Sequence, residues 1–130
     1  MGASEMSGWV WIDTAVVLAL HDEQLAEHGG AAGVRDRGLL ESALARPQNV
    51  AAYDVAALAA AYAFGIARNN PFIDGNKRTA LVALGLFLEL NGNSLASDDA
   101  ERVDIMMRLA CGELAEAELA GWIRGRLRSA

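Results

Sequence analysis

The stretch Arg68-Asn69-Asn70-Pro71-Phe72-Ile73-Asp74-Gly75-Asn76-Lys77-Arg78-Thr79 is too polar for its surroundings. It joins two apolar segments patterned as helices, about Val50 to Arg68 and Asn76 to Leu90. Pro71 and Gly75 mark the join as a loop. The second helix is apolar nearly all round, through Ala80, Leu81, Val82, Ala83, Leu84, Leu86, Phe87, Leu88 and Leu90, until Asn91-Gly92 ends it. Such a helix belongs in the middle of a bundle. Its start offers free N–H groups and the positive end of the helix dipole, which together suit an anion. Cations are disfavoured in a first turn, so Lys77 and Arg78 point to an anionic ligand. Phosphate is the natural candidate, with Arg78 able to bind it bidentately. Asp74 can hold a Mg²⁺ that bridges phosphates, and Gly75 lets the backbone come close. Phe72 and Ile73 read as apolar pins for the loop. A plain Asp-Gly-Asn capping turn with solvated Lys77 and Arg78 explains the same residues without a ligand. The order of residues is not that of a Walker loop.

Outward from this junction the pattern is helical throughout. Upstream, Trp9-Val10-Trp11-Ile12 is a short β-prone run, and Asp13 can cap a helix from Thr14 to about Glu27. Gly29-Gly30-Ala31-Ala32-Gly33 breaks that helix. Asp36 can cap a second helix, Arg37 to Ala45, which Pro47 is expected to end. The third, Val50 to Arg68, carries a ladder of small residues, Ala52, Ala56, Ala59, Ala60 and Ala63, that lets another helix approach closely. Downstream, Asp98-x-x-Glu101 reads as a capping box for a fifth helix to about Ala110. A sixth spans about Glu113 to Leu127. The expected fold is all-α, a single-domain bundle of six helices with short loops. Residues 1–8 read as a leader or cloning remnant, 9–127 as the domain and 128–130 as a tail.

Composition narrows the function. The chain has 130 residues, enough for one domain with a real core. With 53% hydrophobic and 22% charged residues, disorder is excluded for most of it. Eleven basic against 17 acidic residues give a net charge of −6, which argues against direct nucleic-acid binding. One cysteine, Cys111, and two histidines, His21 and His28, are too few for a disulfide or a metal cluster. No apolar run reaches the ~18 residues of a membrane span. The expectation is a soluble, cytoplasmic domain with no membrane contact. Cys111 reads as a buried small residue, and Asp98, Asp99 and Glu101 as capping carboxylates. Trp9, Trp11 and Trp122 read as packing residues or a partner surface.

Asn70-Pro71-Phe72-Ile73-Asp74-Gly75-Asn76-Lys77-Arg78 resembles the Fic/Doc signature in its Doc form, H-x-F-x-[D/E]-G-N-K-R. Ala19-Leu20-His21-Asp22, Gly29-Gly30 and Gly33-x-Arg35-Asp36-x-Gly38-Leu39-Leu40-Glu41 resemble that family's N-terminal flap and following helix. Cys111-Gly112-Glu113-Leu114 and Trp122 suit its C-terminal end. The resemblance implies a helical Fic/Doc bundle with a small flap. It also implies that Asp74 binds Mg²⁺, that Gly75 and Asn76 form an anion-binding turn and that Arg78 neutralises nucleotide phosphates. Arg68 is a weaker phosphate candidate. Lys77 stands where adenylylating Fic proteins have a second glycine, and Leu81 replaces their last motif arginine. Both departures disfavour AMP transfer. The Doc form implies ATP presenting its γ-phosphate, and phosphorylation of a hydroxyl on elongation factor Tu, which stops translation. It further implies a Phd-like antitoxin that folds on binding as a helix in a groove. A Fic-type adenylyltransferase and a non-catalytic partner-binding protein are the alternatives.

Asn70 occupies the position of the family's first motif residue, a histidine. That histidine serves as general base on the attacking hydroxyl, a task suited to a group titrating near neutrality. Asn has no titratable group, and loss of a general base costs ~10²–10⁴ in rate. Asp74, Asn76, Lys77 and Arg78 are all kept. A disarmed toxin fits that pattern better than a site drifting out of use, which would have lost several of them. His21 reads as a structural or hydrogen-bonding residue away from the motif.

Overall fold

The computed structural model describes residues 8–49 and 54–129. The expected leader up to Ser7, the expected helix start at Val50 with Ala52, and Ala130 lie outside the described residues. The elements run α1 (Thr14–His28), α2 (Arg37–Asn49), α3 (Val55–Asn69), α4 (Asn76–Leu90), β1 (Asn93–Leu95), α5 (Asp99–Ala110), α6 (Glu116–Arg124) and β2 (Leu127–Ser129). The fold is therefore an all-α bundle with one minimal sheet. Among the described residues no helix is long and apolar enough to cross a membrane.

The caps follow the sequence. Asp13 accepts from the Val16 amide at 3.0 Å and starts α1. Asp36 accepts from Leu39 N–H at 3.0 Å ahead of α2. Asp98 accepts from Glu101 N–H at 2.8 Å and starts α5. Only half of that expected capping box forms. The Glu101 carboxylate turns away to Arg126, which reaches it at 2.9 and 3.0 Å. A charge-assisted fork is stronger than a return bond to one amide.

The hub of the bundle is α3 rather than α4. It packs against α2, α4, α5 and α6. From Ala56 to Ala67 every residue except Ala57 and Phe64 is buried. Its small residues make the close packing possible: a Cβ on Gly65 would lie 3.0 Å from the backbone of Ala43 on α2. Helix α4 buries Ala80, Ala83, Leu84, Phe87 and Leu88 as expected. Its other face stays half-open along a groove that Leu81, Val82, Gly85 and Leu86 line.

Pro47 does not end α2; it lies inside the last turn, buried. A proline so near the end forfeits only its bond to the Ala43 carbonyl. That carbonyl is one of the atoms lying against Gly65. The start of α3 also differs from expectation, because Asp54 caps it, accepting from Ala57 N–H at 2.9 Å. Trp9–Ile12 forms no strand. Asn91 brackets Val10 with both amide atoms, at 2.8 Å from its N–H and 3.0 Å from its carbonyl. The Tyr62 hydroxyl does the same for the backbone of Ile12, at 3.0 and 3.3 Å. Side chains thus satisfy an extended segment that sequence alone reads as β-prone.

The true strands lie elsewhere. Asn93↔Ser129, Ser94↔Arg128 and Leu95↔Leu127 pair antiparallel. The last helix therefore stops at Arg124, short of the expected Leu127. Cys111 is exposed, not buried, in the turn after α5. Trp9 and Trp11 pack on Phe87, and Arg126 lies over Trp122, in line with packing roles.

Candidate active site

The polar junction sits between the end of α3 and the start of α4, and the loop between α1 and α2 braces it. Helix α3 ends at Asn70, which adopts the left-handed conformation, φ 48° and ψ 57°. It is the one non-glycine residue with positive φ among those described. Asn and His both enter this region more readily than most residues. Position 70 thus accepts either side chain without remodelling the turn. The Asn70 amide donates to Ile66 O at 3.2 Å, and the side chain is exposed.

The bracing loop pairs with residues 70–73. Arg35 N–H and Asp36 N–H both donate to Pro71 O, at 2.7 and 3.1 Å. Ile73 N–H donates to Gly33 O at 3.1 Å, and Val34 bridges Phe72 antiparallel. Arg35 also forks onto helix α3, Nε to Asn70 O at 2.7 Å and Nη2 to Asn69 O at 2.8 Å. The expected flap beside the motif is this loop.

Phe72 is the pin, 1% exposed. His21 of α1 stacks on it, ring centroids 3.8 Å apart and 7° from parallel. The same imidazole donates from Nε2 to Asp74 O at 2.8 Å. His21 is thus a hydrogen-bonding residue, as expected, but it touches the motif loop instead of lying away from it. Long-range packing of α1 brings it there, which spacing along the chain does not reveal. Ile73 is 56% exposed and is no pin. Bridge alternation turns it outward while Phe72 turns inward.

Asn76 closes the loop. Its Oδ1 accepts from Phe72 N–H and its Nδ2 donates to Phe72 O, both at 2.9 Å. That side chain is committed to the turn, so an anion can meet only its backbone amide. Gly75 precedes α4 in the left-handed region, φ 76°, and offers no side-chain cap. Thr79 N–H makes the first intrahelical bond, to Gly75 O at 3.0 Å. The amides of Asn76, Lys77 and Arg78 are left without an intrahelical acceptor.

Asp74 stands exposed beside this open helix start. Its Oδ1 accepts from Gly75 N–H at 2.8 Å and its Oδ2 from Ala31 N–H at 3.3 Å. Those two amide bonds, then the charges of Arg78 and Lys77, hold its carboxyl below the usual carboxylate range. Lys77 is exposed. Arg78 is half-buried with a buried, unpartnered Nε, and it lines a groove of about 840 Å³ with Gln24, His28 and Arg102. Arg68 lies over the Phe64 ring at 5.4 Å and faces Gly112, not the Asp74 loop.

An anion fits this helix start: three open amides follow Gly75, and Lys77 and Arg78 stand in the first turn. Among the described residues no group of three or more His, Cys, Asp or Glu could hold a metal by itself. One ionised carboxylate beside a phosphate site suits Mg²⁺, which is commonly held by one or two carboxylates together with substrate phosphates. Arg35 lies in the stretch that resembles the family's flap, but nothing in that stretch announces its fork onto the carbonyls of Asn69 and Asn70.

Comparison with known proteins gives the same direction. The Fic/DOC family profile matches residues 11–88. The chain is similar to "Protein kinase doc" of Escherichia phage P1, 36% identical over 112 residues, 83% of this chain and 88% of that protein. It is also similar to "Toxin Doc" of Mycolicibacterium smegmatis, 44% identical over 106 residues, 72% of this chain and 81% of that protein.

Proposed function

This chain belongs to the Fic/Doc family, and on that premise we propose that it is a Doc-type toxin of a toxin–antitoxin module, here with its catalytic base missing. The reaction is transfer of the γ-phosphate of ATP to a hydroxyl of elongation factor Tu in the cytoplasm, and the partner that restrains it is a Phd-like antitoxin. Bound ATP with Mg²⁺ supplies the transferable phosphoryl group. Asp74 holds the metal as an ionised carboxylate. The open α4 amides of Asn76, Lys77 and Arg78, with the Lys77 and Arg78 side chains, take up phosphate charge. Position 70 takes the proton from the attacking hydroxyl when it carries histidine. As an amide, Asn70 cannot.

The observation that carries this reading is the intact, braced geometry around a left-handed Asn70. The braced loop, the open helix start and Asp74 support it, and position 70 carries an amide where the reading calls for a titratable group. Asn70→His should therefore restore transfer of label from γ-labelled ATP to purified elongation factor Tu, by on the order of 10²-fold or more. Label arriving from α-labelled ATP would replace phosphorylation by AMP transfer. No label from either, with the variant folded and nucleotide-bound, would leave a partner-binding protein.

A further inference from the structure

Three consecutive carbonyls, those of Asn69, Asn70 and Pro71, all accept hydrogen bonds from residues 35 and 36. The Arg35 guanidinium takes the first two at 2.8 and 2.7 Å, and the backbone amides of Arg35 and Asp36 take the third at 2.7 and 3.1 Å. On the other side, the Asn70 amide is fixed to Ile66 O at 3.2 Å. Both peptide planes of residue 70 are thus held, and with them the direction in which its side chain leaves the backbone. The left-handed conformation there is sparsely populated, so it needs such holding. The other end of the same loop serves Asp74: Ala31 N–H reaches its Oδ2 at 3.3 Å, and a Cβ on Gly30 would come within 2.8 Å of that oxygen.

We infer that Arg35 is the positioning residue for position 70: its fork on the Asn69 and Asn70 carbonyls aims whatever side chain stands there, Asn or His. It acts on the base, not on the nucleotide, because its contacts stop at residues 69–71, while Asp74 is held by the Gly75 and Ala31 amides and the α4 amides stay open. A lysine would not replace it, since one ammonium lacks the planar two-point fork. For its activity readout this rests on the phosphotransfer reading above.

The test has two arms. In an Asn70→His background, Arg35→Ala and the bulkier Arg35→Gln should lower kcat by about 10²-fold. KM for ATP should stay within about twofold, because uniform binding is untouched. Arg35→Lys should fall between. Arg37→Ala, which loses only an exposed 3.4 Å contact with Glu41, serves as the control. In the chain with Asn70 unchanged, backbone chemical shifts of Asn70 should lose their left-handed signature in the Arg35 variants, and its amide should exchange faster. Unchanged Asn70 shifts overturn the inference, even if kcat falls. A rise in KM for ATP without a fall in kcat overturns it too. If Asn70→His transfers nothing with Arg35 intact, the functional reading fails, and the Asn70 shifts alone then decide the role of Arg35. Arg35→Gln carries the test if Arg35→Ala does not fold.

Discussion

Helices α3 and α4 lie side by side and begin in opposite ways. At the start of α3, Asp54 accepts from Ala57 N–H at 2.9 Å and pairs through its other oxygen with Arg124 at 2.7 Å. Its orphan amides meet a carboxylate, and the charge there has the sign the dipole favours. At the start of α4, Gly75 supplies no cap, the next three amides stay open, and Lys77 and Arg78 add charge of the disfavoured sign to the first turn. The nearest carboxylate, Asp74, spends its hydrogen bonds on Gly75 and Ala31 instead. One helix start is closed for stability. The other is left open to solvent or to an anion from outside.

The largest effect that separates the two starts is on transfer. In an Asn70→His background, Asp74→Ala should abolish labelled γ-phosphate transfer, a loss of about 10²-fold or more. Asp54→Ala should leave it unchanged. Equal losses from both would mean that the contrast concerns folding, not ligand. Next comes binding. Arg78→Ala should weaken ATP–Mg²⁺ affinity about tenfold or more, as expected for a charge-assisted contact, and should flatten the fall of affinity with salt. Calorimetry that finds equal affinities would remove Arg78 from the phosphate site.

The smaller effects fall on stability and point the other way. Asp54→Ala should lower unfolding stability by about 1 kcal/mol through the lost cap, read from urea midpoints, while Asp74→Ala should move the midpoint little. The smallest effect is the pH dependence. The hydrogen bond from Arg124 lowers the Asp54 carboxyl below its ordinary value, with help from the Ala57 amide and against the opposing effect of burial. A carboxyl with a depressed folded pKa stabilises fully above its unfolded value near ~4, and that contribution is lost as pH falls through the folded value. Asp54→Asn keeps a good cap but no charge, so its stability should fall less than the parent's between pH 5 and pH 3, by a fraction of a kcal/mol given the pair's exposure. A parallel acid limb in both proteins would assign Asp54 to capping alone.

Whatever is local can be read from the chain of residues alone. Asp13 and Asp98 cap helices where their spacing to the apolar runs says they should. Gly29–Gly33 breaks the chain, and the polar insert from Asn70 to Arg78 opens a helix, because proline, glycine and charge act within a few residues of themselves. The motif alone puts Asp74, Lys77 and Arg78 at that opening. Tertiary structure decided everything that needs a distant partner. Trp9–Ile12 reads as a strand, yet its backbone is satisfied by Asn91 and Tyr62 from far along the chain. Leu127 reads as helix, yet it pairs with Leu95. Pro47 reads as a stop, yet it stays buried within the last turn of α2. Large apolar side chains all round α4 mark it as a buried helix, yet the small residues of α3 admit close neighbours and bury it more completely. The site follows the same rule. His21 and Arg35 lie 53 and 35 residues from the groups they hold. A stacked ring and a two-carbonyl fork have no periodicity to announce them; they exist only once α1 and the loop after it have packed against the junction.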